Sequence, residues 1–592
     1  MKRAIALGIF ALVCAGPAAA TIDYRISLKN PEAHRFQVRM SIPNPAPDAQ
    51  VAIPAWNALY QVRDFSYRVR DVRSSYSVAG DGGATLILPL DKIDKQTWKL
   101  GMTGKGTAEV TYSIEWDDAG PFNSQLNEHH AFVNFAEVLM YVPNRLDEAV
   151  TVTFDDVPAG WQAIAELPAG AKANSFTAES YDKLVDAPTE IGKAEQFAFD
   201  QSGAHFRVVV DGKDWKKDRL EEYLKRITKS ELETMGGAPF QEYTFFYHLG
   251  PFPEVGGGGM EHSNCTAISG SSVEGAATTS AHEFFHLWNV KRIRPQTLEP
   301  VDFAKEQYTR ALWFAEGVTS TYGAYTLERT GIWDNGQFYA DLAGQISELE
   351  SRPAHKWQSV EESSLDAWLE KYDDYRQPNR SISYYNKGQI VGEMLDLKIR
   401  ALTDDHKSLD DVMRAMYAEY PAKGKFYDDS RGIQTVAEEV SGAKLDDFFQ
   451  NYVAGVTEIP YDEFLAAAGL RLRIDDHVSA SLGFVATGRG PGVPVRVSVV
   501  EDGSAAQAAG LRAGDVLLGL NGGALPRFLP AWLHDHAPGE KITLHVHRDD
   551  KELDVTYALG DIEDKHYAVV EIHDATEKQK RLRNAWLAGR TE

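Results

Sequence analysis

Cysteine is nearly absent: 592 residues contain two, Cys14 and Cys265. The first lies in an apolar N-terminal run, so the chain beyond it has one thiol and can form no internal disulfide. Cohesion has to come from buried apolar surface, and 43% hydrophobic residues over this length allow three or four domains with cores of their own. Excess positive charge is missing too. The 61 Lys and Arg stand against 86 Asp and Glu, a formal charge of −25 that argues against general affinity for nucleic acid or anionic lipid and is compatible with plain solubility. Beyond the N-terminus there is no apolar run long enough to span a bilayer.

The N-terminus reads as an export signal, residues 1–20. Lys2 and Arg3 are its basic start, Ala4 to Ala15 its apolar run and Ala18-Ala19-Ala20 its cleavage site. The expectation is a periplasmic or secreted mature chain from about Thr21, with a charge of −27 once Lys2 and Arg3 are gone.

From Thr21 the apolar residues alternate: Ile22, Tyr24, Ile26 and Leu28, then Phe36, Val38, Met40 and Ile42, later Ala108, Val110, Tyr112, Ile114 and Trp116. Period two means half-buried strands, and Asn44-Pro45 and Asp81-Gly82-Gly83 punctuate them. With Val150 to Phe154 and Phe206 to Val210, residues 21–210 read as an antiparallel β-sandwich. Near Trp215 the period changes. Leu220, Tyr223, Leu224 and Ile227 recur at helical spacing until Gly236-Gly237 and Pro239. A strand over Tyr243 to His248 follows, then helices to about Val453, one of them over Glu306 to Glu328 and another capped by Ser408. Residues 211–468 are therefore an α-rich domain, and the plan of the chain is α+β.

In that domain lies His282-Glu283-Phe284-Phe285-His286 in a helical setting limited by Pro295. Residues four apart share a helical face, so His282 and His286 can present imidazole nitrogens to one metal ion, with Glu283 beside the open position. Imidazole and carboxylate donors in this motif suit zinc, one ion per chain, with Glu283 as general base toward the zinc-bound water. The third donor would be Glu316, in Trp313-Phe314-Ala315-Glu316-Gly317. A carboxylate among apolar residues is costly unless paired, and coordination removes that cost. Trp313-x-x-Glu316-Gly317 also resembles the ligand motif of zinc aminopeptidases.

After Leu470 short strands return. Ser481-Leu482-Gly483-Phe484 with Ala509-Gly510-Leu511-Arg512-Ala513-Gly514-Asp515 looks like a PDZ domain over residues 469–560, whose loop and sheet edge would take a peptide or protein ligand. Leu582, Trp586 and Leu587 predict a helix in a tail spanning 561–592.

The run from His282 to Pro295, with Gly258-Gly259-Met260-Glu261-His262 before it and the PDZ-like segment after it, resembles the M61 glycyl aminopeptidase family over nearly the whole mature chain. The resemblance implies a β domain, a thermolysin-like catalytic domain and a PDZ domain. It also implies removal of N-terminal residues, Gly or Ala preferred, from peptides with a free N-terminus. In the larger aminopeptidases a Gly-x-Met-Glu-Asn loop holds the substrate amine, which by likeness assigns Gly258, Gly259, Met260 and Glu261 to amine binding. His262 stands where those enzymes have Asn. Tyr385-Asn386-Lys387-Gly388 resembles their Tyr-x-Lys-Gly motif, making Tyr385 the oxyanion donor, with Tyr384 as its rival.

Pro54 to Tyr60 departs from the family's Trp-x-Pro-Gly-x-Tyr pattern. Lys291, Arg292 and Arg294 read as complements to the end of the metal helix, with buried pairing as the alternative. Cys265 reads as a small buried side chain. Two other functions fit the motifs: a zinc endopeptidase that captures chain ends on its PDZ domain, and a PDZ-mediated binding protein with a structural metal site.

Overall fold

A computed structural model describes residues 21–57, 60–78, 85–101, 105–487, 494–526 and 528–591. The export signal, Ala58, Leu59 and the turn at Asp81-Gly82-Gly83 lie outside them. The described chain forms two bodies. One runs to Gly469 and is rejoined by the segment from His573; the other is Leu470–Ile572. Among the described residues no helix is long and apolar enough to cross a membrane.

The alternating segments become strands as their period requires. Ile22–Ser27, Arg35–Pro43 and Gly106–Glu115 lie side by side in a seven-stranded sheet, with Tyr24, Ile26, Val38, Met40, Val110 and Ile114 buried. One core fills the space between this sheet and two smaller ones, the three-stranded sheet around Gln50–Ala52 and the four-stranded sheet around Thr189–Gly192. The sheet is not wholly antiparallel as expected, since Ile22–Ser27 pairs parallel with Val150–Asp155.

A second correction concerns the end of this domain. Glu195–Gln201 and Ala204–Gly212, expected within 21–210, join Glu242–Leu249, Cys265–Gly270 and Gly258–Glu261 in a five-stranded sheet of the α-rich domain. Their alternation fits either sheet; only pairing separates the two. One face of this sheet meets helices: Phe206 and Phe245 pack on Phe284, and Tyr247 Oη lies 2.6 Å from Ser280 Oγ. The other face meets the β domain, with Val209, Phe246, Cys265 and Ala267 against Phe132 and Ile164.

The helix over Lys217–Met235 ends where Gly236 takes φ 81°, a conformation Gly adopts without strain. Ser408 caps Leu409–Glu419 in a reciprocal capping box with Asp411. The helix expected over Glu306 to Glu328 begins later, at Trp313. Before it, Asp429 accepts hydrogen bonds from Thr309 Oγ1 at 2.6 Å and Arg310 N at 3.2 Å, which hold that stretch out of a helix.

In the second body a sheet in the order Phe484–Thr487, Arg496–Val500, Val516–Leu520, Lys541–Arg548, Lys551–Ala558 has Phe484–Thr487 at its edge. Residues 561–571, expected in a helical tail, instead extend the strand Gly560–Glu571, which pairs along its length with Leu470–Ser481. The tail helix is Glu577–Leu587. It docks on the first body through buried Trp586, whose Nε1 donates to Tyr325 Oη at 2.8 Å.

Candidate metal centre and substrate edge

Ser272 opens the metal helix, Val273–Phe285, by accepting from Gly275 N at 3.1 Å. The helix closes at Phe285, ten residues before Pro295. His286 N still reaches His282 O, at 3.4 Å, so the two rings keep helical spacing. Beyond them Arg292 donates to Leu287 O at 2.8 Å, satisfying a carbonyl the helix has left open.

Glu316 sits in a π-helical turn, Trp313–Val318, that runs on into the α-helix Thr319–Arg329. The wide turn inserts a residue into the register, a device frequent at functional sites. Gly317 and Gly388 make its packing possible. A Cβ on Gly317 would lie 2.5 Å from Gly388 Cα, and one on Gly388 2.4 Å from Trp313 O. Through this close approach the helix Tyr384–Leu402 brings the Tyr385 ring to 6.2 Å from the His282 ring, while Tyr384 is buried.

Three donor atoms converge here. His282 Nε2 and His286 Nε2 are 2.9 Å apart, and Glu316 Oε2 lies 3.6 Å from the first and 3.2 Å from the second. Bonds of roughly 2.0–2.1 Å in a tetrahedral zinc site put donors about 3.3 Å apart, so the spacing fits such an ion. The charges fit as well. Burial would raise Glu316 and lower His286, yet the attraction between them holds the carboxyl well below its ordinary range and pushes the imidazole up. A dication can supply in place of a proton the positive charge that the pocket favours.

The supporting contacts orient each donor. His286 Nδ1–H donates to Asn289 O at 2.7 Å, which leaves Nε2 as the metal-facing atom. Asn289 Nδ2 donates to Phe314 O at 2.7 Å and to Thr319 Oγ1 at 3.2 Å, tying the turn after the metal helix to the turn that carries Glu316. Ser320 Oγ is 3.3 Å from His282 Nδ1. Sequence reading missed Asn289, Thr319 and Ser320; their spacing of three or four from a donor was the available signal.

Glu283 is buried, and its Oε2 has no hydrogen-bond partner among the described residues. Burial, with the negative Glu261 and Glu316 near, pushes its carboxyl up to about 8. Glu283, Glu261 and His286 offer donor atoms within 4.8 Å of one another. Glu261 ends the edge strand Gly258–Glu261, antiparallel to Cys265–Gly270. The glycines before it are needed by the protein itself. Gly258 has φ 108°, and a Cβ on Gly259 would stand 2.3 Å from Glu283 Oε1. The Met260 side chain is buried and forms part of the wall behind Glu261.

A cavity of about 250 Å³ opens beside Glu261, lined among others by Trp56, Tyr60, His262, Lys291 and Arg294. Lys291 Nζ is 2.7 Å from Asp186 Oδ1, and Arg294 pairs with Glu299. Buried pairing therefore describes Lys291 and Arg294 better than complementing the helix end. His262 Nδ1 is 3.4 Å from the same Asp186 oxygen. Tyr60 is buried with φ 47°, a left-handed conformation that marks a site held by its surroundings. Cys265 is a buried wall of the sheet, and burial holds its thiol well above the ordinary range, as a packing residue requires.

Family models match the segment that carries this site. The model of the M61 glycyl aminopeptidase matches residues 276–391, which include His282, His286, Glu316 and Tyr385; that of the peptidase M61 N-terminal domain matches 23–193. The chain belongs to the M61 peptidase family. It is a metallo-aminopeptidase by that membership, and a PDZ model matches residues 480–559. No curated protein matches the chain. Among solved structures, an aminopeptidase N family protein from Idiomarina loihiensis shares the M61 chain's fold. It superposes with a TM-score of 0.82 at 24% identity, covering 96% of this chain and 100% of its own. An M1 zinc metallopeptidase from Deinococcus radiodurans reaches a TM-score of 0.47 at 15% identity, over 74% of this chain and 94% of its own, too remote to bear on the site.

Proposed function

We propose that this M61 peptidase is an exported zinc aminopeptidase that removes an N-terminal Gly or Ala from peptides. The observation that carries the reading is the convergence of His282, His286 and Glu316, with Glu283 and Glu261 on the same side. His282, His286 and Glu316 hold one zinc ion at this centre. Zinc when bound supplies a Lewis acid that activates water and polarises the scissile carbonyl.

Glu283 takes the proton of the attacking water on its unpartnered oxygen and passes it to the leaving amine nitrogen. Glu261, on the sheet edge, pairs with the substrate's free ammonium, a group that an internal peptide bond lacks. The peptide lies along Gly258–Glu261 as an added strand. Tyr385 donates to the oxygen that becomes negative in the tetrahedral intermediate. Preference for Gly is supported by the family's description as a glycyl aminopeptidase, and Ala is the next smallest side chain. Lys291 and Arg294 beside Glu261 are paired with Asp186 and Glu299, so neither offers an uncompensated charge to a charged side chain. The PDZ unit would hold a peptide at its Phe484–Thr487 edge. The signal over residues 1–20 supports export to the periplasm or beyond.

Hydrolysis of matched peptides beginning with Gly, Ala or Leu, free or N-acetylated, tests the reading. Cleavage of the free Gly and Ala peptides alone, abolished in Glu283→Gln, is the expected result. Cleavage of acetylated peptides at internal bonds would make the protein an endopeptidase.

A further inference from the structure

We propose that His130, Glu190 and His248 form a second divalent-metal site, separate from the His282–His286–Glu316 centre, at the seam between the β domain and the catalytic sheet.

The three side chains come from three segments that meet only in the folded protein. His130 precedes the strand Ala131–Val133, Glu190 lies in Thr189–Gly192, and His248 in Glu242–Leu249. All three are buried, and one donor atom from each lies within 4.8 Å of the others. His130 Nδ1 is 3.1 Å from Glu190 Oε1, and His248 Nε2 is 3.0 Å from Glu190 Oε2. Both rings therefore turn a nitrogen toward one carboxylate, from opposite sides of the seam. Asp211 Oδ2, 3.6 Å from His130 Nδ1, adds an oxygen, and its side chain is 41% exposed, which gives an ion a way in.

The rings are held in place. Asn127 Oδ1 accepts from His130 N at 3.2 Å, and Phe132 packs edge-on against His248 with ring centroids 4.8 Å apart. Gly192 leaves the space, since a Cβ there would lie 3.1 Å from His130 Cβ and 3.2 Å from Glu190 Oε1. Two imidazoles with carboxylate oxygens select borderline ions such as zinc or cobalt(II) over magnesium or calcium, which prefer all-oxygen shells. Bound there, an ion would join the two domains. His248 lies in register with Ser269, and Ser269 with Gly258, so the clamp sits on the same row of the sheet as the start of the substrate edge. The competing arrangement is a carboxylate bridging two imidazoles with no ion.

Chelator-stripped full-length protein titrated with zinc chloride, with the ions retained after gel filtration counted, separates these alternatives. The expected stoichiometry is two. His282→Ala, which leaves the seam untouched, keeps one, with imidazole and oxygen neighbours in its zinc X-ray absorption spectrum; Glu190→Gln also keeps one. One ion in the native protein and none in His282→Ala would overturn the proposal. So would a second ion that survives both Glu190→Gln and His248→Asn. Should the seam variants fail to fold, the His282→Ala count decides alone.

Discussion

At the scale of the residue, the site depends on where a few atoms stand relative to Glu283 and His282. Tyr385 and Tyr384 are adjacent in sequence, yet only the former faces the His282 ring, because the helix they open buries its neighbour. Tyr385→Phe is expected to lower kcat by about 10²- to 10³-fold with little change in KM, the usual result of removing one oxyanion donor. Steady-state hydrolysis of an alanyl anilide reads it, and a larger loss in Tyr384→Phe would reverse the assignment. Gly259→Ala tests a different constraint. Its methyl group would displace the Glu283 carboxylate, 2.3 Å from where the Cβ must go. A displacement of about 1 Å at a catalytic group can cost about 10²-fold in rate. The variant should lose that much in kcat while retaining its zinc, which metal analysis alongside kinetics checks.

Elements position these residues through contacts that look unremarkable along the chain. The Gly-Asp of the PDZ run is an example. Asp515 is buried, accepts from Arg512 N at 2.9 Å and holds Arg548 Nε at 2.6 Å, joining the start of one strand to the end of another. Burial pushes its carboxyl up, but Arg548 and the Arg512 amide outweigh this and hold it below the ordinary range. A depressed carboxyl contributes stability that is complete above its unfolded pKa of about 3.9 and is lost as pH falls through the lower folded value. Asp515→Asn should destabilise the unit by about 1.5–3 kcal/mol near neutrality, the range for hydrogen bonds to charged groups, and should flatten that acid dependence. Urea unfolding followed by hydrogen exchange within Leu470–Ile572 is the measurement. The catalytic elements carry a similar lesson. The helical period around Glu316 is legible, but its π-helical turn is not, because that turn depends on Gly317 meeting Gly388, 71 positions away in sequence.

For the whole molecule, the chain path matters most. Leu470 and Glu571 are partners across an antiparallel ribbon, so the chain leaves for the PDZ unit and returns at nearly one point, about 5 Å apart. His282, His286, Glu316, Glu283, Glu261 and Tyr385 all precede Gly469, and the helix carrying Trp586 follows His573. Replacing residues 471–570 by a short Gly-Ser linker should leave the rest folded, with stability within roughly 1 kcal/mol, or a few degrees in Tm. Activity on dipeptide substrates should be kept. Calorimetry and kcat/KM check this, and loss of both would show that the first body needs the second. What the sequence by itself determined is whatever depends on short spacing: the imidazoles four apart, the strand and helix periods, the cap at Ser408 and the turn glycines. Local geometry follows from backbone periodicity and sterics, so these features need no partner to be read. Only the tertiary structure decided which sheet takes Glu195–Gly212, that residues 561–571 form a strand rather than part of a helical tail, and that Asn289 links both halves of the metal centre. It alone brought His130, Glu190 and His248 together. Each of these is a pairing between distant segments, chosen by the burial of whole faces, and no local pattern encodes such a choice.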